Sequence, residues 1–508
     1  MRLERPLKLS RLNVILIRLR TIQSTLIEQA EFLRPYHTCS IDIPQNPETV
    51  LNSGMKGNMN LHVPITFHDG VKWLLRVRQS CPLPPDDYKS ALIDSEVATL
   101  QWMKRKGCQY TPDAWMIGEM VETGQKNSLH YFFCEYLPGK SADIPSFGKD
   151  SITTPGPRTR QFIEEFATSQ IALSNIPIPN ALIGCLISST NKDDHTATVG
   201  PFLTDGSLHH VDPPYFPGPF VANRERYLAQ INIALSHIAE GLLCLAHPLD
   251  GYLWHLQLRE LVDASPELAR RSENGYVKHS DEKGDHLLVD EEGRIVSIVD
   301  WESAYVTTKE EAFSSPSFMY EDGTPNPDTR LTPAEEVLAE CYENLGRQDL
   351  ADIVRNGKIY KSLDGIGSFY RGDRSQLDVL EAFDTVDDVL PPSFQPPLKI
   401  GSEWRLYLIE RYKDDISLRH IIERVGWKEE DRVQRGTDVQ RMKDAERIAY
   451  WSMSFEERVG ERKRLRETWK ALKDEKKKKR AEERMEKKSE RGGIEGSGII
   501  GEIGRSSS

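Results

Sequence analysis

Two aspartates near the middle of the chain, Asp281 and Asp300, are the residues whose spacing best suits a chemical reaction. Asp281 follows His279 in an H-x-D triplet, and Asp300 ends a largely apolar run over 295–299. In phosphoryl transfer one carboxylate orients the attacking hydroxyl, and a second holds the metal ion that bridges the nucleotide phosphates. The pair therefore has the residue types that this reaction requires.

A predicted β-hairpin positions the two carboxylates. Residues 287–289 and 295–299 are rich in Leu, Ile and Val, and the turn-forming stretch 290–293 separates them. A hairpin returns the chain to the end of the sheet at which it began. We therefore expect both carboxylates at one end of a sheet.

Other strands and one helix precede this hairpin. Residues 63–67 and 71–77 predict two strands around an Asp-Gly turn, and 131–137 predicts a buried strand. Apolar spacing predicts a helix over about 95–106 with Ser95 as its cap, and most later patterns are also helical. The order is a small sheet with one helix, followed by a helical half.

This order of parts resembles the aminoglycoside phosphotransferase and choline kinase-like family, whose signature H-G-D-x4-N is followed by I-D-W. The matching residues here are His279-Ser280-Asp281, then His286, then Val299-Asp300-Trp301 and Glu302. The resemblance covers about 50–423. It implies an α+β, bilobal protein kinase-like fold, with a small antiparallel-sheet N-terminal lobe over 40–140 and a mainly helical C-terminal lobe over 141–425.

The same resemblance implies an ATP-dependent phosphotransferase that moves the γ-phosphate to a hydroxyl of a small molecule. Asp281 resembles the carboxylate that orients the hydroxyl, with His279 beside it as an orienting group. Asp300 resembles the magnesium ligand, and carboxylate oxygens suit that ion. ATP and Mg²⁺ are the expected cofactors, with Mn²⁺ as an alternative.

His286 stands where the family has a metal-binding asparagine. A neutral imidazole favours transition metals over magnesium. The change therefore shifts the metal preference, hands the second metal position to Asp285 or Asp290, or marks lost catalysis.

The resemblance also assigns residues to the nucleotide. Arg76 aligns with the strand residue that meets the phosphates, and Glu96 aligns with its helix partner; Arg78 lies on the same strand face and is the rival candidate. Backbone groups of a glycine-containing loop and of the hinge between the lobes are expected to approach the phosphates and the adenine: Gly54, Gly57, Glu135 and Leu137.

Length and composition set outer limits. The chain has 508 residues, which suggests more than one domain, and it has no apolar run long enough for a transmembrane helix. Its seven cysteines include no C-x-x-C pair, which argues against a disulfide framework or zinc site and favours a reducing compartment. We therefore expect a cytoplasmic protein.

The two ends of the chain are basic. Residues 1–39 form a basic leader, either helical or a mitochondrial targeting segment, so a mitochondrial location is the alternative. Residues 426–508 form a charged tail that is expected to be helical, as in a coiled coil, or disordered. The net charge of −12 leaves an acidic body, which argues against general nucleic-acid binding, while the basic tail could bind an acidic partner.

Two non-enzymatic hypotheses remain open. His286 and the incomplete glycine loop are compatible with a catalytically inactive kinase-like binding or scaffold protein. A weaker alternative is an interaction protein that acts through its tail.

Overall fold

The computed structural model of the protein describes residues 4–428, apart from positions 54, 56, 58, 80–84, 118–128, 145–148, 180–181, 189–197, 204–213, 321–330, 364–365, 368–382, 384–393, 395 and 397–400. Most of the charged tail over 426–508 lies outside the described residues, so its predicted helix or disorder stays a prediction. Gly54 is outside them as well.

The elements of the first 135 residues are α1 (Glu4–Thr21), α2 (Gln23–Leu33), β1 (Cys39–Ile41), α3 (Pro47–Asn52), β2 (Asn60–Phe67), β3 (Lys72–Arg78), α4 (Asp86–Arg105), β4 (Ala114–Trp115) and β5 (Tyr131–Glu135). The elements that follow are β6 (Lys140–Ser141), α5 (Pro157–Ser174), β7 (Ile178–Pro179), β8 (Leu186–Ile187), β9 (Thr198–Val199), α6 (Asn223–Ala239), α7 (Pro248–Ala264), α8 (Pro266–Ala269), β10 (Asn274–Lys278), β11 (Leu287–Val289), β12 (Ile295–Ile298), β13 (Tyr305–Thr307), α9 (Lys309–Ala312), a 3₁₀ turn (Ser317–Met319), α10 (Pro333–Asn344), α11 (Gln348–Asn356), α12 (Lys358–Ser362), α13 (Ser402–Arg411) and α14 (Ile416–Val425).

An antiparallel sheet in the order β1-β2-β3-β5-β4 forms the N-terminal lobe. The predicted hairpin around the Asp-Gly turn is confirmed as β2 and β3, and Gly70 adopts the left-handed φ of +88° that this turn needs. Residues alternate across the sheet, so Arg76 and Arg78 share one face of β3 while Leu75 and Val77 share the other. The two arginines therefore face away from the apolar core of this lobe.

Helices α1 and α2 cover the apolar face of the sheet. Leu16, Leu19 and Leu26 are fully buried, in one cluster with Leu75 and Val77 of β3. The basic leader is therefore helical, and its apolar side belongs to the core of the N-terminal lobe. The next segment forms α3, which Asn46 caps by accepting from the Glu48 N–H.

Helix α4 begins nine residues before the predicted cap. Pro85 precedes it, and acidic Asp86 and Asp87 occupy its first turn, where the helix dipole favours negative charge. The prediction that Ser95 caps the helix was wrong. Ser95 lies inside the helix and is buried, next to Glu96.

The C-terminal lobe is mainly helical and has two apolar clusters. One joins α5, α10 and α11 to the hairpin β11–β12, and the other lies between α6, α7, α13 and α14. The hairpin is confirmed with Leu287 opposite Ile298. Thr332 and Glu335 form the capping box that starts α10.

The architecture is α+β and bilobal, with a kinase-like arrangement of an antiparallel-sheet lobe followed by a mainly helical lobe. In the described part of the chain, no helix combines the length and the apolar character that crossing a bilayer would take.

Candidate active site

His279 holds the loop of Asp281 against the end of β12. The Asp281 backbone N–H donates to His279 Nδ1 at 3.1 Å, and His279 Nε2 lies 2.9 Å from the Val299 carbonyl oxygen. Because Nδ1 accepts a hydrogen bond, the proton of the neutral ring is on Nε2, which donates to Val299. This imidazole joins the Asp281 loop to the residue directly before Asp300.

His286 stacks on His279, with ring centroids 4.2 Å apart. Burial, followed by the effect of His279, lowers the pKa of His286 to about 2, so its ring is neutral. The Gly284 N–H donates to its Nδ1 at 3.3 Å, which leaves the ring proton on Nε2. Neither nitrogen then offers a free lone pair to a metal ion.

The Asp281 carboxylate is 41% exposed and accepts a hydrogen bond from Lys283 Nζ at 2.6 Å. Burial lowers the pKa of Lys283, but nearby carboxylates outweigh burial and raise it. Those carboxylates belong to Asp281, Asp285 and Asp300. The ammonium group of Lys283 therefore lies in the electrostatic field of the predicted catalytic aspartate, Asp281, and of the predicted metal ligand, Asp300.

Asp300 follows Val299 after the end of β12 and has a left-handed backbone conformation, with φ of 63°. Trp301 anchors this turn, because its ring is buried and its Nε1 donates to the Ile298 carbonyl oxygen at 2.9 Å. The Asp300 side chain stays 51% exposed, and its Oδ1 accepts a hydrogen bond from Arg76. The turn therefore presents the carboxylate at the junction of the two lobes.

Arg76 connects the sheet, α4 and the Asp300 turn. Its Nη2 lies 3.2 Å from Glu96 Oε1 and also donates to Asp300, while its Nε is buried without a hydrogen-bond partner among the described residues. The alignment of Arg76 with Glu96 is matched by this ion pair. The orphan N–H is a donor that a phosphate oxygen would satisfy.

The carboxylates around Arg76 differ in their pKa shifts. Burial raises the pKa of Glu96, and neighbouring acids add to the rise despite the attraction of Arg76. Burial acts in the same direction on Asp300, but the Arg76 guanidinium outweighs it and lowers the pKa of Asp300. Asp300 is therefore ionised at neutral pH, as a metal ligand must be.

Arg78, the rival for the phosphate role, is paired elsewhere. Its Nη1 donates to Glu302 Oε1, so Arg76 is the arginine beside Glu96 and Asp300. The roles of Glu302 and its partner Asn60 were missed. The sequence signal that could have revealed them is the pair of arginines on one face of β3. Two guanidinium groups there need more acidic partners than Glu96 and Asp300, the two acids that the resemblance assigned to this site.

The loop and hinge residues are placed less directly. The Gly57 N–H donates to the Asn60 carbonyl oxygen at 2.9 Å, so this amide would reach a phosphate only after the turn opens. The Glu135 carboxylate accepts a hydrogen bond from Lys104 Nζ at 3.0 Å, and the Glu135 N–H donates to the Asp113 carbonyl oxygen at 2.9 Å. Leu137 is half-buried just beyond β5.

Asp300 fits a magnesium ion that arrives with a nucleotide. Among the described residues, no group of three or more His, Cys, Asp or Glu side chains could hold a metal ion alone. Magnesium commonly takes one or two carboxylates and completes its shell with phosphate oxygens and waters. Asp285 and Asp290 were the alternatives to His286 for the second metal position. Asp290 is engaged by Arg294 in the hairpin turn, whereas Asp285 is exposed beside Lys283.

Residues 65–308 match the model of the phosphotransferase enzyme family known as APH. The match contains Arg76, Glu96, Asp281 and Asp300, the residues that form the site. This segment of the chain matches that phosphotransferase family, and the resemblance stated from the motifs is confirmed. No curated protein matches the chain in sequence.

Solved structures of similar proteins include a type I macrolide 2′-phosphotransferase, 17% identical, with a TM-score of 0.33 over 67% of this chain and 89% of that one. An ethanolamine kinase of Plasmodium vivax is 10% identical, with a TM-score of 0.33 over 65% and 74%. An aminoglycoside phosphotransferase of Streptomyces rimosus is 13% identical, with a TM-score of 0.34 over 63% and 97%. Because these sequence identities and TM-scores are low, the assignment to the phosphotransferase family rests on the family match and on the residues of the site.

Proposed function

We propose that this phosphotransferase moves the γ-phosphate of ATP to a hydroxyl of a small molecule. The observation that carries the proposal is the position of Arg76, whose guanidinium joins Glu96 to Asp300 and keeps one buried N–H without a partner. An anionic ligand between the lobes would satisfy this donor. The family match supports the coarser activity, phosphate transfer to a small molecule.

Each residue of the site has one task in this reaction. Asp281 accepts a hydrogen bond from the acceptor hydroxyl and takes its proton as the phosphoryl group is transferred. Arg76 would bind phosphate oxygens, and Asp300 would hold magnesium, which would neutralise charge on the phosphates. The ammonium group of Lys283, which is paired with Asp281, would offset charge on the transferred group.

A nucleotide-binding assay followed by an acceptor screen tests the proposal. ATP with magnesium should raise the melting temperature, and a screen of alcohols and amino sugars should find an acceptor that receives phosphate. Absence of any stabilisation by ATP with magnesium or manganese would contradict the proposal. That result would favour the scaffold hypothesis, which His286 and the occupied Gly57 amide motivate.

Replacing His286 with glutamine is expected to leave the affinity for ATP and magnesium unchanged. The Nδ1 atom of the ring accepts a hydrogen bond and the ring proton is then on Nε2, so we expect that the ring does not serve as a metal ligand. Calorimetric titration of wild type and His286→Gln with ATP and magnesium measures this. A loss of about tenfold or more, typical for removal of a group that supports a metal site, would make His286 a ligand after all.

We propose a cytoplasmic location, which the packing of the basic leader supports. Deleting residues 1–33 is expected to give insoluble protein, because each fully buried Leu of α1 and α2 contributes about 1.5–3 kcal/mol by burial. Solubility and circular dichroism of the truncated chain measure the effect. A truncated protein that stays folded and soluble would instead favour a cleaved mitochondrial presequence. The acidic partner of the basic tail stays a proposal as well.

A further inference from the structure

The side chain of Glu302 is bound by two strands of the N-terminal lobe. Arg78 Nη1 donates to Oε1, and Asn60 Nδ2 donates to Oε2 at 2.6 Å. Asn60 and Arg78 lie opposite each other in the register of β2 and β3. Only 12% of the Glu302 side chain is exposed, so this contact is shielded from solvent.

The main chain of Glu302 is bound by the catalytic loop. Ser280 Oγ donates to the Glu302 carbonyl oxygen at 2.7 Å. Ser280 lies between His279 and Asp281. Glu302 thus joins two parts of the site. Its side chain contacts the sheet of the N-terminal lobe, and its carbonyl group contacts the loop that contains Asp281.

Glu302 also balances charge around Arg76. The guanidinium groups of Arg76 and Arg78 face three carboxylates, and Arg76 Nη2 lies 3.4 Å from Glu302 Oε2. When Asp300 serves a metal ion, Glu96 and Glu302 remain as two carboxylates for two guanidinium groups. Without the charge of Glu302, Arg76 would compete with the metal ion for Asp300.

We propose, on the basis of the function proposed above, that Glu302 is a positioning residue for the metal–nucleotide complex. It holds Arg76 and Arg78 so that Asp300 can exchange Arg76 for a metal ion. It also keeps the Asp281 loop in register with the sheet. Glu302 acts through these residues and does not itself touch the phosphates.

The test is calorimetric titration of Glu302→Gln with ATP, with magnesium and with a chelator. Glutamine keeps the size of the side chain and removes its charge. The Kd for ATP with magnesium is expected to rise about tenfold or more, as for other groups that orient metal ligands. The Kd for metal-free ATP should stay the same or fall, because a negative charge near the phosphates is removed. An unchanged Kd with magnesium, or equal weakening with and without it, would overturn the proposal.

Asp250→Asn is a matched control, because it neutralises another buried acid in an ion pair, with Arg405 in the C-terminal lobe. It should lower thermal stability without changing the ratio of the Kd for metal-free ATP to the Kd for ATP with magnesium. A fall in that ratio like the one expected for Glu302→Gln would show a general effect of lost stability and overturn the proposal. If Glu302→Gln does not fold, Arg78→Lys tests the same pair, since lysine keeps the charge and loses the fork. The ratio should then fall by a smaller factor, and an unchanged ratio would overturn the proposal.

The wild type separates failure of this inference from failure of the proposed function. If the wild type binds ATP neither with magnesium nor with the chelator, the proposed function is wrong, and this inference is wrong with it. If the wild type binds ATP with magnesium and Glu302→Gln binds it equally well, only this inference is wrong.

Discussion

Replacing Asp281 with asparagine is expected to lower kcat for phosphate transfer by about 10²–10⁴, the usual contribution of a positioned general base. Asparagine fits the same space but neither carries charge nor takes the proton of the hydroxyl. The Kd for ATP with magnesium should stay close to wild type, because Asp281 faces Lys283 and Arg76 is left intact. Initial rates with an acceptor from the screen, together with calorimetric titration, measure both quantities.

Asp290→Asn is the control for this substitution. Asp290 lies in the adjacent hairpin turn, where Arg294 engages it. The control therefore removes an equal charge without touching the predicted base, and kcat should change little. If Asp281→Asn transferred phosphate as fast as wild type, another group would be the base and the assignment from the H-x-D triplet would be wrong.

The parts of the site that lie close together in sequence were predictable. The hairpin β11–β12 follows from two short apolar runs around a turn. It depends on residues within a few positions of one another. Local composition therefore determined where Asp300 leaves its strand.

The start of α4 was not predictable from apolar spacing alone. Its first two turns bury Tyr88 and Leu92 against residues of the insert between α5 and α6, such as Phe202. The apolar pattern that we followed lies further along the helix, so Ser95 was taken as a cap. Tertiary contacts with a segment about 110 residues away determine the first two turns, and no local signal reports such contacts.

The polar network of Glu302 shows the same limit more sharply. Its partners Asn60 and Arg78 lie 242 and 224 residues away in the chain. A glutamate after a tryptophan has many possible partners, and only the fold selects these two. The need for such a partner could nevertheless be read from Arg76 and Arg78 on one face of β3, since two buried guanidinium groups require counter-charges.

Replacing Asp300 with alanine is expected to abolish the part of ATP binding that depends on magnesium. Asp300 is the ionised carboxylate at the junction of the lobes, and Arg76 still has Glu96 and Glu302 as partners in the variant. At a ligand concentration of 100 times Kd, wild type should gain about 2.7 kcal/mol of stability from ATP with magnesium. The variant should lose most of this gain, and thermal unfolding with ATP, with and without magnesium, measures it.

Metal-free ATP separates a metal ligand from a residue that only supports the fold. Removing the negative charge of Asp300 leaves Arg76 more attractive to phosphate oxygens, so Asp300→Ala should bind metal-free ATP as well as wild type or better. Asp290→Asn neutralises an acid in the adjacent hairpin turn, where Arg294 engages it, and should keep the full effect of magnesium. Equal stabilisation of Asp300→Ala and wild type by magnesium would place the metal ion elsewhere. The shared position of Asp300 between Arg76 and a metal ion would then have no role in phosphate transfer.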